Sequence, residues 1–227
     1  MKLLAVETST EACSVALHID GLVEERFQVA PREHTRLILP MIDSLMADAQ
    51  LKPQQLDALA FSRGPGSFTG VRISTGVIQG IALGADLPVV PVSTLAAMAQ
   101  HYFKTGDADC AYTAMDARMG EIYWGVYTKN QQGTAELVGD EAVTLAENII
   151  FPDRQGLGIG SGWGIYQQPL SACLGELLTG FEVDHLPRAS AIADLGVLGM
   201  ENNQAVAVEM AMPVYLRDKV AKKESER

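Results

Sequence analysis

The sequence predicts an α/β fold with mixed sheets flanked by helices. Two observations carry this. Short apolar runs alternate with helical patterns, as layered sheets and helices require. One order of elements also occurs twice along the chain: strand, hairpin, helix, strand, glycine turn, helix. No letter-level repeat accompanies it, so any duplication is structural. The segment 104–107 (KTGD) reads as a junction, placing one lobe at 1–104 and a smaller one at 105–227.

In the first block, residues 2–7 (KLLAVE) read as a central strand and 8–10 (TST) as a polar turn. Residues 13–19 and 22–29 flank Asp20-Gly21, a strong two-residue hairpin signal. A helix follows over about 33–49, with apolar residues at Leu37, Ile38, Met41, Ile42, Leu45, Met46 and Ala49. Pro40 must kink this helix or lie near its true start. Residues 58–61 (ALAF) form a buried strand that stops at Ser62. The turn Gly64-Pro65-Gly66-Ser67 precedes a helix over 69–84, with Ser67 or Thr69 as its cap. Gly76, Gly80 and Gly84 recur on one face of that helix. Each costs about 1 kcal/mol relative to alanine, so something must pack closely there. The contact is either the chain's own sheet or a partner's helix.

A strand near 89–92 and a helix over 95–103 capped by Ser93-Thr94 complete this block. The second block has strands at 110–116, 121–128 and 135–143, then a short helix at 145–150. A glycine-rich strand-to-turn at 156–162 and a helix at 189–200 follow. The charged residues after 217 are expected to fray.

The 227 residues are enough to bury roughly 70% of the unfolded surface. The net charge of −11 opposes independent nucleic-acid binding, although a partner could supply the positive surface. Cys13, Cys110 and Cys173 are far apart and odd in number, which fits a reducing cytoplasm and no paired metal motif. The few apolar residues before Glu7 are too short for a signal peptide, and no apolar run would span a membrane.

Four chemistries compete. Glu7, Thr8 and Ser9 at a strand end, with Gly64 and Gly66 before a helix, are candidate nucleotide or phosphate contacts. The loop lacks the lysine of a P-loop and the spacing of a dinucleotide site, so a purely structural turn competes with ligand binding. His18, His34, His101 and His185 include no pair at zinc spacing, so no metal is expected. Glu33-His34, Asp116, Arg118 and Glu121 are the densest polar clusters, read as ion pairs or as an acid–base dyad. No nucleophile elbow occurs for a peptidase.

Residues 7–17 (ETSTEACSVAL), 31–42 (PREHTRLILPMI), 63–84 (RGPGSFTGVRISTGVIQGIALG), 91–95 (PVSTL), 115–124 (MDARMGEIYW) and 213–217 (PVYLR) resemble the TsaB (YeaZ) family. The resemblance implies two duplicated ribonuclease H-like lobes of the actin, sugar-kinase and Hsp70-like ATPase superfamily. It implies a non-catalytic scaffold for TsaD, the enzyme that transfers threonylcarbamoyl to N6 of adenosine 37 in tRNAs reading ANN codons, with TsaE as a further partner. Thr94 and Met98 stand where the catalytic relative has its metal-binding histidines, and neither replaces imidazole. The family pairs its first two helices with a partner, a second copy or TsaD. The implied interface is Leu37, Met41, Leu45, Val71, Gly76, Ile78 and Gly80. A nucleotide between subunits stays an open expectation. The competing reading is an ATP-dependent phosphotransferase or ATPase, with Glu7 orienting Mg²⁺ through water and glycine turns 64–66 and 158–162 holding phosphates. Glu7 stands where the superfamily usually has aspartate, which weakens that reading.

Overall fold

The computed structural model describes residues 1–217; the charged tail expected to fray, 218–227, lies outside the described residues. The first sheet is built from β1 (Lys2–Glu7), β2 (Ala12–Ile19), β3 (Leu22–Val29), β4 (Ala58–Gly64) and β5 (Val89–Ser93), in the order β3-β2-β1-β4-β5. β1 lies antiparallel to β2 and parallel to β4. The Asp20-Gly21 turn has both residues at positive φ, as a type I′ hairpin turn demands, and it pairs Ile19 with Leu22.

Side chains alternate across β1, so Leu4 and Val6 enter one core while Leu3 and Ala5 enter another. The first core is covered by α1 (His34–Asp48) and α2 (Phe68–Ala85). α1 buries Ile38, Ile42, Leu45 and Met46, which fall on one helix face. Pro40 lies in the interior of α1 rather than near its start, on the exposed side. Its missing N–H therefore costs a bond at the water-facing edge while the buried face stays packed. Ser67, not Thr69, caps α2, accepting a hydrogen bond from Gly70 N at 3.3 Å.

The second sheet contains β6 (Cys110–Arg118), β7 (Glu121–Lys129), β8 (Ala135–Leu145), β9 (Gly156–Ile159) and β10 (Leu178–Glu182), ordered β10-β9-β6-β7-β8. Read from the other edge, this repeats the order of the first sheet. The repeat is incomplete. Where α1 stands in the first lobe, the second has only a 3-10 turn, Ala146–Asn148, because β8 runs on to Leu145. The short helix expected over 145–150 is thus reduced to this single 3-10 turn. α5 (Gln167–Leu174) and β10 carried no sequence expectation. α5 follows the single turn α4 (Gly162–Ile165).

The lobes exchange helices. α3 (Thr94–Thr105) places Leu95, Met98, Tyr102 and Phe103 against the second sheet. α6 (Ala189–Glu201) places Ala189, Ile192 and Ala193 against the first. Gly196 and Gly199 allow this approach: a Cβ there would sit 2.7 Å from Ala60 Cβ and 2.5 Å from Val90 Cγ1. A boundary between 104 and 105 therefore separates the strands but not the helices. Ser93 Oγ and Tyr127 OH both donate to Glu141 Oε1, tying the first sheet's last strand to the second sheet.

Candidate functional site

The end of β1 meets the start of α2 at backbone distance. Ser67 N donates to Ser9 O at 2.7 Å, and Thr8 Oγ1 donates to Gly70 O at 2.7 Å. A Cβ on Gly66 would lie 2.6 Å from Ser9 O, and one on Gly70 would lie 2.0 Å from Thr8 O. The glycines therefore admit the chain's own 8–9 segment. An anion at this helix start would meet the Ser9 carbonyl, not an open row of N–H donors. Gly64, at φ 101°, turns the chain out of β4.

Glu7 is fully buried beneath this contact. Its Oε1 accepts from Ser9 N, whereas Oε2 has no hydrogen-bond partner among the described residues. Burial raises its pKa above the ordinary 4.5, against the opposing hydrogen bonds of Ser9 and Ser62. The folded chain thus holds this proton to higher pH than the unfolded chain does. Stability from that proton is full below the unfolded value and falls as pH rises through the folded one. Glu7→Gln keeps an acceptor for Ser9 N and cannot ionise. Urea midpoints measured across pH should fall less in Glu7→Gln than in the parent; superimposable profiles would refute this.

Thr94 and Met98 are core residues, 0% and 1% exposed. Thr94 Oγ1 donates to Ser9 Oγ at 3.2 Å. Among the described residues no three His, Cys, Asp or Glu side chains cluster as metal ligands. Among the described residues the hydrogen bonds of His18, His34 and His185 run to backbone atoms and Glu182, not to a serine, threonine or cysteine side chain. His101 stacks near His185, ring centres 5.0 Å apart, and burial lowers its pKa to about 4. Asp116 pairs with Arg118 at 3.0 Å, Glu33 with Arg36, and Glu121 with Arg217 at 2.5 Å; these clusters are ion pairs.

The residues expected at a partner interface divide into two sets. Leu45 and Ile78, both 0% exposed, belong to the first lobe's own core, and Val71, 2% exposed, is buried beside Gly64, so none of the three offers a surface. Leu37 and Met41 are half-buried along α1. Gly76 and Gly80, with Gly84, are exposed, and a Cβ at any of them would meet nothing within 4 Å. The chain's own sheet is therefore not what the stripe contacts. Half-buried Ile73, Val77 and Ile81 flank it. Two apolar faces share α2, and the spacing separates them: residues 71, 74, 75, 78 and 82 face the sheet.

A cleft of about 1190 Å³ opens between the lobes. It is lined by the α2 start, the β6–β7 turn and residues 214–217. Of its arginines, Arg32, Arg72 and Arg217 are not among the candidate site residues of the sequence; nothing in their spacing predicts that the fold brings them together.

The family "TsaD: tRNA N6-adenosine threonylcarbamoyltransferase" matches residues 27–173. The Escherichia coli "tRNA threonylcarbamoyladenosine biosynthesis protein TsaB" is 43% identical over 226 residues, 97% of this chain and 96% of that one. The Haemophilus influenzae protein of the same description is 39% identical, covering 97% of this chain and 95% of that one. Among solved structures, "an uncharacterized protein with similarity to peptidase YEAZ from Pseudomonas aeruginosa" superposes with a TM-score of 0.88 at 40% identity. That match covers 95% of this chain and 99% of the other.

Proposed function

The chain belongs to the TsaB family of tRNA threonylcarbamoyladenosine biosynthesis proteins, and from that membership we propose a non-catalytic scaffold role in making threonylcarbamoyladenosine. In this reading it activates TsaD, which transfers the threonylcarbamoyl group, and helps create the docking surface for TsaE. It pairs with itself when alone, works in the cytoplasm and makes no direct tRNA contact. One observation supports the reading most: the glycine notch on α2 is open, exposed and rimmed by half-buried aliphatic side chains. Small residues let helix backbones approach closely, so such a notch accepts a partner's helix. The ion-paired polar clusters and the plugged helix start support a role without chemistry of its own. Among the described residues no helix is long and apolar enough to cross a membrane.

Reconstitution tests the proposal. The purified chain alone should turn over no nucleotide and modify no tRNA. Adding it to TsaD and TsaE should restore threonylcarbamoyl transfer. Nucleotide turnover by the chain alone would favour the phosphotransferase reading instead.

A further inference from the structure

We infer that the mouth of the interlobe cleft docks an acidic peptide segment of a partner protein, anchored by an apolar side chain. The chain as a whole carries −11, yet Arg32, Arg72, Arg118 and Arg217 all line this one cleft. Arg118 and Arg217 are neutralised by Asp116 and Glu121. Arg32 and Arg72 have no carboxylate at ion-pair distance among the described residues. Glu11 is the cleft's remaining carboxylate, and Asp116 is already paired.

Arg72 is also held ready. Its guanidinium lies 3.3 Å from the Phe68 ring centre and 5.0 Å from that of Tyr215. Its Nη1 donates to Phe68 O at 2.9 Å. Stacking fixes the plane, so its remaining donors point along the edge, where a carboxylate binds two of them. Phe68 is 68% exposed, Tyr215 47% and Ile165 60%, three large apolar surfaces in the same cleft. Arginine and aromatic residues in one depression are the composition of an interface hot spot.

The occupant is limited by three facts. The cleft exceeds the roughly 300–1,000 Å³ of small-molecule sites, so a chain segment fits it better. Its floor at the α2 start is closed by the Ser9 carbonyl, which disfavours phosphate. The strongly negative remainder of the molecule repels a nucleic acid, whose charge extends beyond the cleft, more than it repels a short peptide.

The test uses the full chain and a fluorescein-labelled peptide of twelve residues made of Glu, Asp, Leu and Phe, read by fluorescence anisotropy. Saturable binding is expected, weakening when salt is raised. The pair Arg32→Glu and Arg72→Glu should weaken it about tenfold or more. The milder pair Arg32→Gln and Arg72→Gln, checked by circular dichroism, should weaken it less but measurably. Gly80→Leu, on the opposite use of α2, should bind the probe like the parent, so failure here and failure of the scaffold reading stay distinguishable. A lysine-for-acid version of the peptide should not bind. Undiminished affinity in both arginine pairs overturns the inference. So does equal affinity for a single-stranded RNA of twelve nucleotides. Binding only after truncation at Arg217 would mean that the chain's own tail takes the site, which also overturns it.

Discussion

Gly80→Leu should abolish TsaD capture and leave the monomer folded. The position is exposed and helical, and a Cβ there would meet nothing within 4 Å. The monomer therefore has room for leucine. Helix propensity should even add about 1 kcal/mol of stability, because glycine is the poorer helix former. In the proposed contact, the partner's helix is what loses room. An extra isobutyl group in a close-packed helix contact costs typically about 1–3 kcal/mol and more where backbones touch. Each 1.4 kcal/mol weakens binding about tenfold. Thermal melting should show an unchanged or higher midpoint, while a pull-down with TsaD should fall to background. Gly80→Ala should lie between. A leucine variant that captures TsaD undiminished would reject the glycine notch as the contact.

Gly70→Val should have the opposite signature on the same helix: a destabilised fold. A Cβ at Gly70 would lie 2.0 Å from the Thr8 carbonyl oxygen, a distance no side chain tolerates. The neighbour is backbone at the end of a buried central strand, so it cannot swing aside. Relief requires α2 to separate from the 7–9 segment, breaking the Thr8 Oγ1 to Gly70 O and Ser67 N to Ser9 O bonds. Buried Glu7 and Thr94 would then lose their fixed surroundings. Overpacking and lost buried hydrogen bonds together put the cost at roughly 3 kcal/mol or more. Gly76→Ala, in open space on the same helix, serves as control and should gain up to about 1 kcal/mol. Urea unfolding measures both. A valine variant with the parent's midpoint would disprove the clamp.

The strand and helix order of the first lobe was legible because its signals are local. The Asp20-Gly21 hairpin, the Ser67 cap and the apolar run at 58–61 each act within a few residues. In the second lobe the local signals were weaker. The short helix expected over 145–150 shrinks to one 3-10 turn, and nothing in the local pattern marks α5 or β10. β10 is a short, half-exposed edge strand, with little periodicity to betray it. At the candidate site, spacing alone marks the glycine stripe as a contact with either the chain's own sheet or a partner's helix, and only the family resemblance points to the partner.

By itself, then, the sequence determined the α/β class, most element boundaries and the family, all properties of short-range pattern or of motifs read letter by letter. Only the tertiary structure decided which apolar face of α2 is the surface, that α3 and α6 cross between lobes, and that four arginines far apart in the chain share one cleft. The physical reason is that burial and charge proximity belong to pairs of distant residues, whereas hydrophobic periodicity shows that a helix has a face without showing what lies against it.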